Sequence, residues 1–320
     1  MQAIVLDQGQ YTLRECEMPV AGAGEVLIKV MYAGLNRADL FQKQGRYPLP
    51  QHSPAIPGME ISGEVIQADK NVGLQSGDKV CALLREGAFA EYVVAPASLV
   101  FPVPDTLSLE EASALPEACF TSWISLVWQA RIQPSETILI HGGASGIGSI
   151  AIQVAVLLGA RVFATAGTKE KCLMCEKLGA EKAIYYREED YVKVIKEKTN
   201  NKGVDVILDM VGGDYFERNL ESLAHGGRLS IIAFLRGPKV VVNLSPILLK
   251  HLSVMGSTLR SRPQPEQEQI AKELRENLWK AVEKGKLKPV IDRIFPLQEA
   301  EKALERMDQG LNVGKILFKI

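Results

Sequence analysis

The chain has 320 residues, of which 47% are hydrophobic and 23% are charged, and its formal net charge is −1. This composition is typical of a globular protein, and the length is sufficient for two domains. The near-zero charge provides no electrostatic attraction to nucleic acid or to an anionic membrane, so we expect neither as a partner.

Three further features favour a cytoplasmic protein. The five cysteines are an odd and widely spaced set, which is not the pattern of a disulfide framework. No apolar run approaches the roughly 18–20 residues that a membrane span requires. Residues 1–7 contain no basic segment, and no long apolar segment follows them, so we expect no signal peptide.

The first third of the chain predicts a compact β-barrel-like unit. Short stretches of β-branched and apolar residues are bounded by Gly and Pro, as is usual for strands that end in tight turns. The predicted strands cover residues 25–30, 58–66, 77–83 and 89–94.

From about residue 105 the pattern changes to strands that alternate with helices. An apolar strand at 137–140 precedes a glycine-rich turn and a helix that ends at Gly159. This alternation predicts a parallel, doubly wound sheet. Further strands are predicted at residues 161–165, 182–185, 204–209, 228–232 and 253–256.

The C-terminal part contains a long amphipathic helix, since Ile270, Leu274, Leu278 and Val282 are spaced four apart. Strands at 291–295 and 315–319 are expected to pair with the N-terminal β unit. Residues 261–269, rich in Pro and Gln, are expected to form a loop.

The strongest motif is the glycine-rich turn at residues 140–148, between a predicted strand and a helix. Glycines let the backbone approach a pyrophosphate, and the helix N-terminus offers N–H groups to it. The dinucleotide spacing G-x-G-x-x-G maps to Gly143, Ser145 and Gly148, with Ser in place of the second glycine. Gly146 and Ile147 complete the candidate cofactor contacts. The alternative is an ordinary strand–helix turn.

The next predicted strand end indicates which nicotinamide cofactor binds. NAD sites place an acid there for the ribose 2′-hydroxyl, but residues 164–168 contain none. Lys169 and Lys171 flank Glu170 just beyond. Because lysines attract a 2′-phosphate and an acid repels it, this stretch favours NADPH. The alternative is a pair of solvated lysines at a helix start.

Several motifs together resemble one family. Residues 34–39, 57–63, 77–80, 88–92, 115–121 and 186–190, with the glycine-rich turn, resemble the medium-chain dehydrogenase/reductase superfamily. Within it they are similar to the zinc-free quinone oxidoreductases related to zeta-crystallin. Residues 36–39 and 259–262 are most similar to the p53-inducible sub-branch.

The resemblance implies an α/β protein with two domains. A GroES-like β-barrel catalytic domain would comprise residues 1–114 and 260–320. A Rossmann nucleotide-binding domain would comprise residues 115–259. The resemblance also implies NADPH as cofactor, and the residues that match its contacts in the family are Thr121, Gly167, Thr168, Lys171, Tyr186, Ala233, Phe234, Leu235 and Asn312.

The zinc ligands of related alcohol dehydrogenases are not retained. Asn36 and Met59 stand at the positions of the catalytic Cys and His, and only Glu60 of that pattern remains. Neither an amide nor a thioether is a good zinc ligand. Cys172 and Cys175 lie in a predicted helix without a second pair, so we interpret them as core or surface thiols. We therefore expect no metal.

Without a metal, hydrogen-bond donors must stabilise the oxygen of the acceptor. By family position the candidates are Asn36, Tyr47 and Arg262. Tyr47 is alternatively an ordinary loop residue, and Arg262 a surface charge. His141, at the end of a strand, is expected to be packed in the core.

The sequence thus predicts an NADPH:quinone oxidoreductase that acts on quinones or other conjugated carbonyls. One alternative is an enoyl-thioester or alkenal reductase on the same scaffold. Another is a nucleotide-binding protein without catalysis. The resemblance also implies a homodimer formed near residues 240–258.

Overall fold

The computed structural model of the protein describes residues 1–47 and 56–320. The chain divides into two units, each with its own core. One comprises Met1–Ala118 and Pro263–Ile320, and the other comprises Cys119–Arg262. The boundaries expected from the sequence, at 114/115 and 259/260, lie a few residues away.

Strands and helices occupy most of the described chain. The strands are β1 (Gln2–Asp7), β2 (Gln10–Glu15), β3 (Glu25–Leu35), β4 (Glu60–Ala68), β5 (Lys79–Leu83), β6 (Tyr92–Pro96), β7 (Val100–Pro102), β8 (Thr137–Ile140), β9 (Arg161–Ala166), β10 (Lys182–Tyr185), β11 (Val204–Asp209), β12 (Leu223–Ile231), β13 (Ser253–Gly256), β14 (Ile291–Pro296) and β15 (Lys315–Lys319). The helices are α1 (Arg37–Lys43), α2 (Leu109–Ala112), α3 (Pro116–Trp123), α4 (Gly146–Leu157), α5 (Lys169–Lys177), α6 (Tyr191–Lys198), α7 (Tyr215–Ser222), α8 (Ser245–Leu249), α9 (Gln264–Asn277), α10 (Trp279–Glu283) and α11 (Ala300–Asp308).

The first unit is built on a sheet with the order β14-β15-β3-β4-β5-β7, in which β6 also pairs with β3. The last strand of the chain, β15, runs antiparallel to β3, with Leu317 opposite Gly34. This confirms that the C-terminal strands pair with the N-terminal β unit. The buried faces meet in an apolar core in which the rings of Phe89 and Phe318 are 4.9 Å apart.

The second unit contains a parallel sheet with the order β10-β9-β8-β11-β12-β13. The chain steps outward from β8 through β9 to β10, then returns to the other side of β8 with β11. Strands buried on both faces explain the nearly continuous apolar runs of β8, β9 and β11. The predicted doubly wound parallel sheet is confirmed. In such a sheet the crevice for a ligand lies at the carboxyl ends of the strands, where the order reverses.

The expected loop at residues 261–269 is wrong, because α9 begins at Gln264. A proline is tolerated in the first turn of a helix, where its missing N–H would have no partner. The buried side chains of Ile270 and Leu274 then hold α9 on the core. The predicted long helix is also interrupted at Leu278, where α9 ends and α10 begins.

A helix that crosses a bilayer needs about 20 predominantly apolar residues. Within residues 1–47 and 56–320, no helix combines the length and apolar character that such a span requires.

We predict that Gly63→Ala destabilises the first unit. A methyl group at position 63 would overlap the carbonyl oxygen of Lys29 and lie 3.1 Å from Ile28 Cγ2, next to a register shift in the β3–β4 pair. Because backbone atoms cannot move aside cheaply, we expect a loss of about 2 kcal/mol or more in the free energy of unfolding, measured by chemical denaturation.

Gly256→Ala is the matched control. The nearest atom to its added methyl group is 3.9 Å away, so we expect a change below about 0.5 kcal/mol. Equal losses in the two variants would contradict the packing described for Gly63.

Candidate functional site

The glycine-rich turn joins β8 to α4 at the point where the strand order reverses. Ser145 caps α4, and its Oγ accepts the N–H of Gly148 at 2.9 Å. The first N–H groups of a helix have no partners within the helix. Those of Gly146 and Ile147 therefore remain as donors for an anion at this end. The serine that breaks the glycine spacing thus has a structural role as the cap.

Two glycines allow the turn to pack closely. A methyl group on Gly148 would overlap the carbonyl oxygen of Gly142 and lie 2.8 Å from the Cα of Gly143. A methyl group on Gly143 would lie 2.8 Å from Ala164 Cβ and 2.9 Å from Cys175 Sγ. The turn therefore rests directly on β9 and α5, and only glycine fits at these positions.

The two closely spaced cysteines belong to the packing under this turn. Cys175 is completely buried and Cys172 nearly so, and burial raises the pKa of the Cys175 thiol to about 12. Thiols with raised pKa values are poor nucleophiles and poor metal ligands. Among the described residues, no cluster of three or more His, Cys, Asp or Glu side chains is arranged to hold a metal ion.

Four predicted cofactor residues lie together beyond β9 and β10, which are neighbours in the sheet. A methyl group on Gly167 would lie 2.7 Å from the Tyr186 hydroxyl. Thr168 caps α5 by accepting the N–H of Lys171 at 3.2 Å. Tyr186 is exposed and Lys171 is half-buried. This loop presents a phenol, a hydroxyl and an ammonium group at the carboxyl edge of the sheet.

Lys169 lies beside an acidic side chain. Its Nζ is 3.3 Å from a carboxylate oxygen of Glu188, and it lies 6.0 Å from the ring centroid of Tyr185. The charge of Lys169 is therefore balanced by an acid.

The residues that follow β12 lie at the same edge of the sheet. Phe234 approaches Gly212, where an added methyl group would be 2.7 Å from its ring. Met210 connects this region to the glycine-rich turn, since its Sδ is 3.6 Å from Ser145 Oγ. Ala233, Phe234 and Leu235 are partly or largely exposed. The structure thus places Phe234 against the loop after β11, and that loop contacts the turn through Met210.

A buried polar network beneath the turn was not predicted. His141 is completely buried, with Nδ1 3.1 Å from Thr165 Oγ1 and Nε2 2.7 Å from Asn219 Oδ1. Asn219 donates through Nδ2 to Asp209 at 3.2 Å and also accepts from Tyr191 Oη at 2.9 Å. Because the Asn219 oxygen accepts, the histidine proton resides on Nε2.

This network connects two loops of the candidate site. Thr165 Oγ1 also accepts the N–H of Gly142 at 3.3 Å, and Asp209 accepts the N–H of Val211 at 2.7 Å. His141 therefore ties the glycine-rich turn to the loop after β11. Burial is the main cause that lowers the pKa of His141, so the ring is neutral near pH 7. The expectation that His141 is packed in the core is confirmed.

The first unit contains a second polar cluster, around Glu60. This side chain is completely buried, and its carboxylate forms an ion pair with the equally buried Lys315. Glu60 Oε1 also accepts from Asn36 Nδ2 at 2.9 Å, and Oε2 accepts the N–H of Glu117 at 2.9 Å. Lys315 Nζ donates to Asn36 Oδ1 at 2.6 Å. Both ends of the Asn36 amide are therefore bonded inside the protein.

Lys315 was not predicted to be part of this cluster. It is separated from Asn36 by 279 positions, and it begins a strand whose next three residues are apolar. An inward-facing lysine at the start of that strand was the signal available. Its partner becomes evident only when β15 is placed beside β3.

The remaining predicted site residues occupy both units. In the first, Tyr47 follows α1 and is half-buried, and Asn312 donates to the carbonyl oxygen of Gly314 at 2.9 Å. In the second, Thr121 lies in α3, and Arg262 donates to Ser257 Oγ at 3.0 Å. The Arg262 guanidinium also lies 5.8 Å from the centroid of a tryptophan ring.

Two protein-family models match the chain. The alcohol dehydrogenase GroES-like domain matches residues 22–105, and zinc-binding dehydrogenase matches residues 146–276. Among curated proteins, quinone oxidoreductase-like protein 2 of Bos taurus is 33% identical over 298 residues, which cover 92% of this chain and 85% of the relative.

Solved structures agree with these matches. The quinone oxidoreductase of Thermus thermophilus, determined alone and in complex with NADPH, is 33% identical, with a TM-score of 0.87 over the full length of both chains. CurK enoyl reductase is 27% identical, with a TM-score of 0.88 over 99% of this chain and 98% of that one.

We predict that His141 makes the stability of the protein depend on pH. An unfolded histidine has a pKa of about 6.5, whereas burial lowers the pKa of the folded one. Below about pH 6.5 the unfolded state therefore binds a proton that the folded state does not, and stability falls as the pH decreases. His141→Gln removes the imidazole that binds this proton in the unfolded state. The slope of the unfolding free energy against pH between pH 7 and 5 therefore becomes smaller, by up to about 1.4 kcal/mol per pH unit.

Denaturant titrations at several pH values measure this slope. His225→Gln, which removes an exposed imidazole, is the matched control. An unchanged slope in His141→Gln would show that the buried ring does not set the pH dependence.

Proposed function

The chain belongs to the medium-chain dehydrogenase/reductase superfamily, with quinone oxidoreductases among its relatives, and from this premise we propose that it reduces quinones or other conjugated carbonyls by hydride transfer from NADPH, without a metal ion. It is an oxidoreductase with a nicotinamide nucleotide-binding domain. The proposal concerns the identity of the cofactor, the absence of zinc and the class of acceptor.

The observation that supports NADPH as the cofactor is the group formed by Gly167, Thr168, Lys171 and Tyr186. A 2′-phosphate carries nearly two negative charges and three acceptor oxygens, and it is best held by cations and hydroxyl donors. Strand β9 ends without an acid that would hold a 2′-hydroxyl instead. The likeness to a quinone oxidoreductase that was solved with NADPH adds support.

The remaining candidate contacts would hold the rest of the cofactor along the carboxyl edge of the parallel sheet. Gly146 and Ile147 would offer their N–H groups to the pyrophosphate, in the turn formed by Gly143, Ser145 and Gly148. Thr121 and residues 233–235 would line the nicotinamide. Asn312 is a further candidate from the first unit. When bound, NADPH supplies the hydride.

The residues at the Glu60 cluster do not fit zinc, although one matched family is described as zinc-binding. Catalytic zinc needs three protein ligands from thiolates, imidazoles or carboxylates. Here Asn36 and Met59 offer an amide and a thioether, and the Glu60 carboxylate is bonded to the Lys315 ammonium. A zinc ion at this point would be repelled by the Lys315 ammonium.

A conjugated acceptor suits a site without a metal. Conjugation spreads the charge that hydride transfer creates, so that hydrogen bonds suffice to stabilise the oxygen. Asn36, Tyr47 and Arg262 are the proposed donors. Solvent can protonate the product, so the reaction requires no dedicated acid.

An enoyl-thioester or alkenal reductase is the second candidate. It is favoured by the likeness to CurK enoyl reductase, and its acceptor is also a conjugated carbonyl. The oxidoreductase relatives favour either catalytic function over the non-catalytic alternative.

We also propose that the enzyme is a cytoplasmic homodimer. The five cysteines, all within the described residues, form no disulfide. Apolar side chains are exposed between β12 and the edge strand β13, and Val241 is 98% exposed. An exposed patch of this kind commonly marks an interface. The other exposed apolar side chains of this patch are Val240, Leu244, Leu248 and Leu249, with Val254 in β13 itself.

We predict that Lys171→Glu selectively impairs the use of NADPH. Reversing a charge beside the 2′-phosphate should raise the KM for NADPH by about tenfold or more, equivalent to about 1.4 kcal/mol of binding energy. The KM for NADH, which has no phosphate there, should change less than about twofold. Lys177→Glu, at the other end of α5, is the matched control. Equal effects on both cofactors would contradict the phosphate assignment.

A steady-state assay tests the reaction itself. With NADPH and a panel of ortho-quinones, enones and enoyl thioesters, we expect turnover with at least one quinone or enone. Because no step requires a metal, the rate should be unchanged after treatment with a strong chelator, and elemental analysis should find no stoichiometric zinc. If none of the acceptors in the panel supports the oxidation of NADPH, the enzyme proposed here is refuted. Tightly bound zinc would refute the metal-free assignment.

A further inference from the structure

We propose that Lys315 is a positioning residue for the reduction: its buried ammonium fixes and polarises the Asn36 amide, so that this amide presents one N–H to the oxygen of the acceptor. The inference rests on the proposed function. It concerns a residue to which the resemblance assigns no role.

The orientation of the Asn36 amide is fixed from both ends. Asn36 Oδ1 accepts from Lys315 Nζ at 2.6 Å, and Nδ2 donates to Glu60 Oε1 at 2.9 Å. A flipped amide would direct its oxygen at a carboxylate and its N–H groups at an ammonium. Both partners therefore reject the flipped form independently, and only one orientation is compatible with the cluster.

This orientation leaves one hydrogen of Asn36 weakly engaged. An amide nitrogen carries two hydrogens, and the first is directed at Glu60. The other potential acceptor of Nδ2 is the carbonyl oxygen of Gly34, at 3.4 Å. That separation is longer than an ordinary hydrogen bond. The second N–H is therefore the one that remains available to an acceptor oxygen.

The buried charge of Lys315 also strengthens the amide as a donor. The ammonium draws electron density toward the Asn36 oxygen, which makes the N–H groups of the same amide stronger donors. Lys315 is only 3% exposed and Glu60 is 0% exposed, so water screens this effect little. The cluster thus contains a fixed cation in contact with Asn36, one of the two residues that stand at the zinc-ligand positions of the related enzymes.

The surrounding backbone holds Lys315 in place. Its N–H donates to the carbonyl oxygen of Val290 at 2.8 Å. Gly314 precedes it with a φ of +83°, and a methyl group there would lie 2.8 Å from Val290 Cβ. Asp292 accepts the N–H of Val313 at 3.1 Å. The side chain therefore emerges from a turn with little freedom to move.

Glu60 is held with similar tightness. A methyl group at Gly34 would lie 2.7 Å from Glu60 Cγ, so that only glycine leaves room for the carboxylate beside β3. The carboxylate receives three donors, from Lys315, Asn36 and the N–H of Glu117.

Neutralising the charge pair separates positioning from simple charge balance. Lys315→Met alone leaves Glu60 as an uncompensated buried carboxylate and should lower the thermal midpoint by several degrees. The double variant Lys315→Met/Glu60→Gln has no buried charge and should regain most of that midpoint. It also lacks the ammonium, and the neutral Gln amide can meet Asn36 through either its oxygen or its N–H, so that a single orientation of Asn36 is no longer imposed. We therefore expect kcat with a quinone to stay at least about tenfold below the wild type. The KM for NADPH should remain within about twofold.

Asn36→Ala completes a cycle that tests whether Lys315 acts through Asn36. In the Asn36→Ala background, the added double substitution should change kcat by less than about twofold, because the amide to be positioned is absent. Arg228→Met/Glu136→Gln removes another ion pair, in the second unit, and should leave kcat near the wild-type value.

The outcomes distinguish the two proposals. If the wild type reduces quinones and the Lys315→Met/Glu60→Gln variant is both stable and equally active, Lys315 only balances a buried charge and the inference is overturned. An equal loss of kcat in the presence and absence of Asn36 would also overturn it. A wild type without activity on any conjugated acceptor refutes the proposed function, and the inference with it.

Discussion

A carboxylate without access to water must be surrounded by donors, and this requirement organises the first unit around Glu60. An unpaired buried charge would cost several kcal/mol, so the fold brings an ammonium, an amide and a backbone N–H to it. The ammonium belongs to the last strand of the chain. Pairing of β15 with β3 therefore completes the sheet and also neutralises the carboxylate.

The second unit depends on a different constraint, which is that the ends of parallel strands leave polar groups unpaired. The turn after β8 and the loops after β9, β10, β11 and β12 all reach the same edge of the sheet. Small residues allow these loops to approach each other, and the network of His141 fixes two of them. The result is a row of N–H groups, hydroxyls and one half-buried lysine along which a phosphorylated nucleotide can lie.

Local patterns were sufficient to predict much of this architecture. Alternating and apolar runs predicted the strands, and the glycine-rich stretch predicted the turn between β8 and α4. The helix at Gln264 was missed because two prolines and several glutamines suggested a loop, whereas tertiary packing of Ile270 and Leu274 decides in favour of a helix. The intrinsic helix propensity of a segment predicts its structure poorly where the segment has an apolar face that can be buried.

The contacts within the site were less predictable, for a physical reason. The sequence predicts Asn36 as a donor, but its partner Lys315 lies 279 positions away. No local pattern encodes that pairing. Likewise, His141 was expected to be buried, but its link through Asn219 to Asp209 depends on how α7 packs against the sheet. The sequence reveals which groups need partners, and the fold decides which partners they receive.

A crystal structure of the protein with NADPH tests the central claim most directly. The account predicts that the 2′-phosphate lies within hydrogen-bond distance of Lys171 Nζ and Tyr186 Oη, with the pyrophosphate at the N–H groups of Gly146 and Ile147. A 2′-phosphate that points into solvent, or a nucleotide bound away from the carboxyl edge of the sheet, would contradict it.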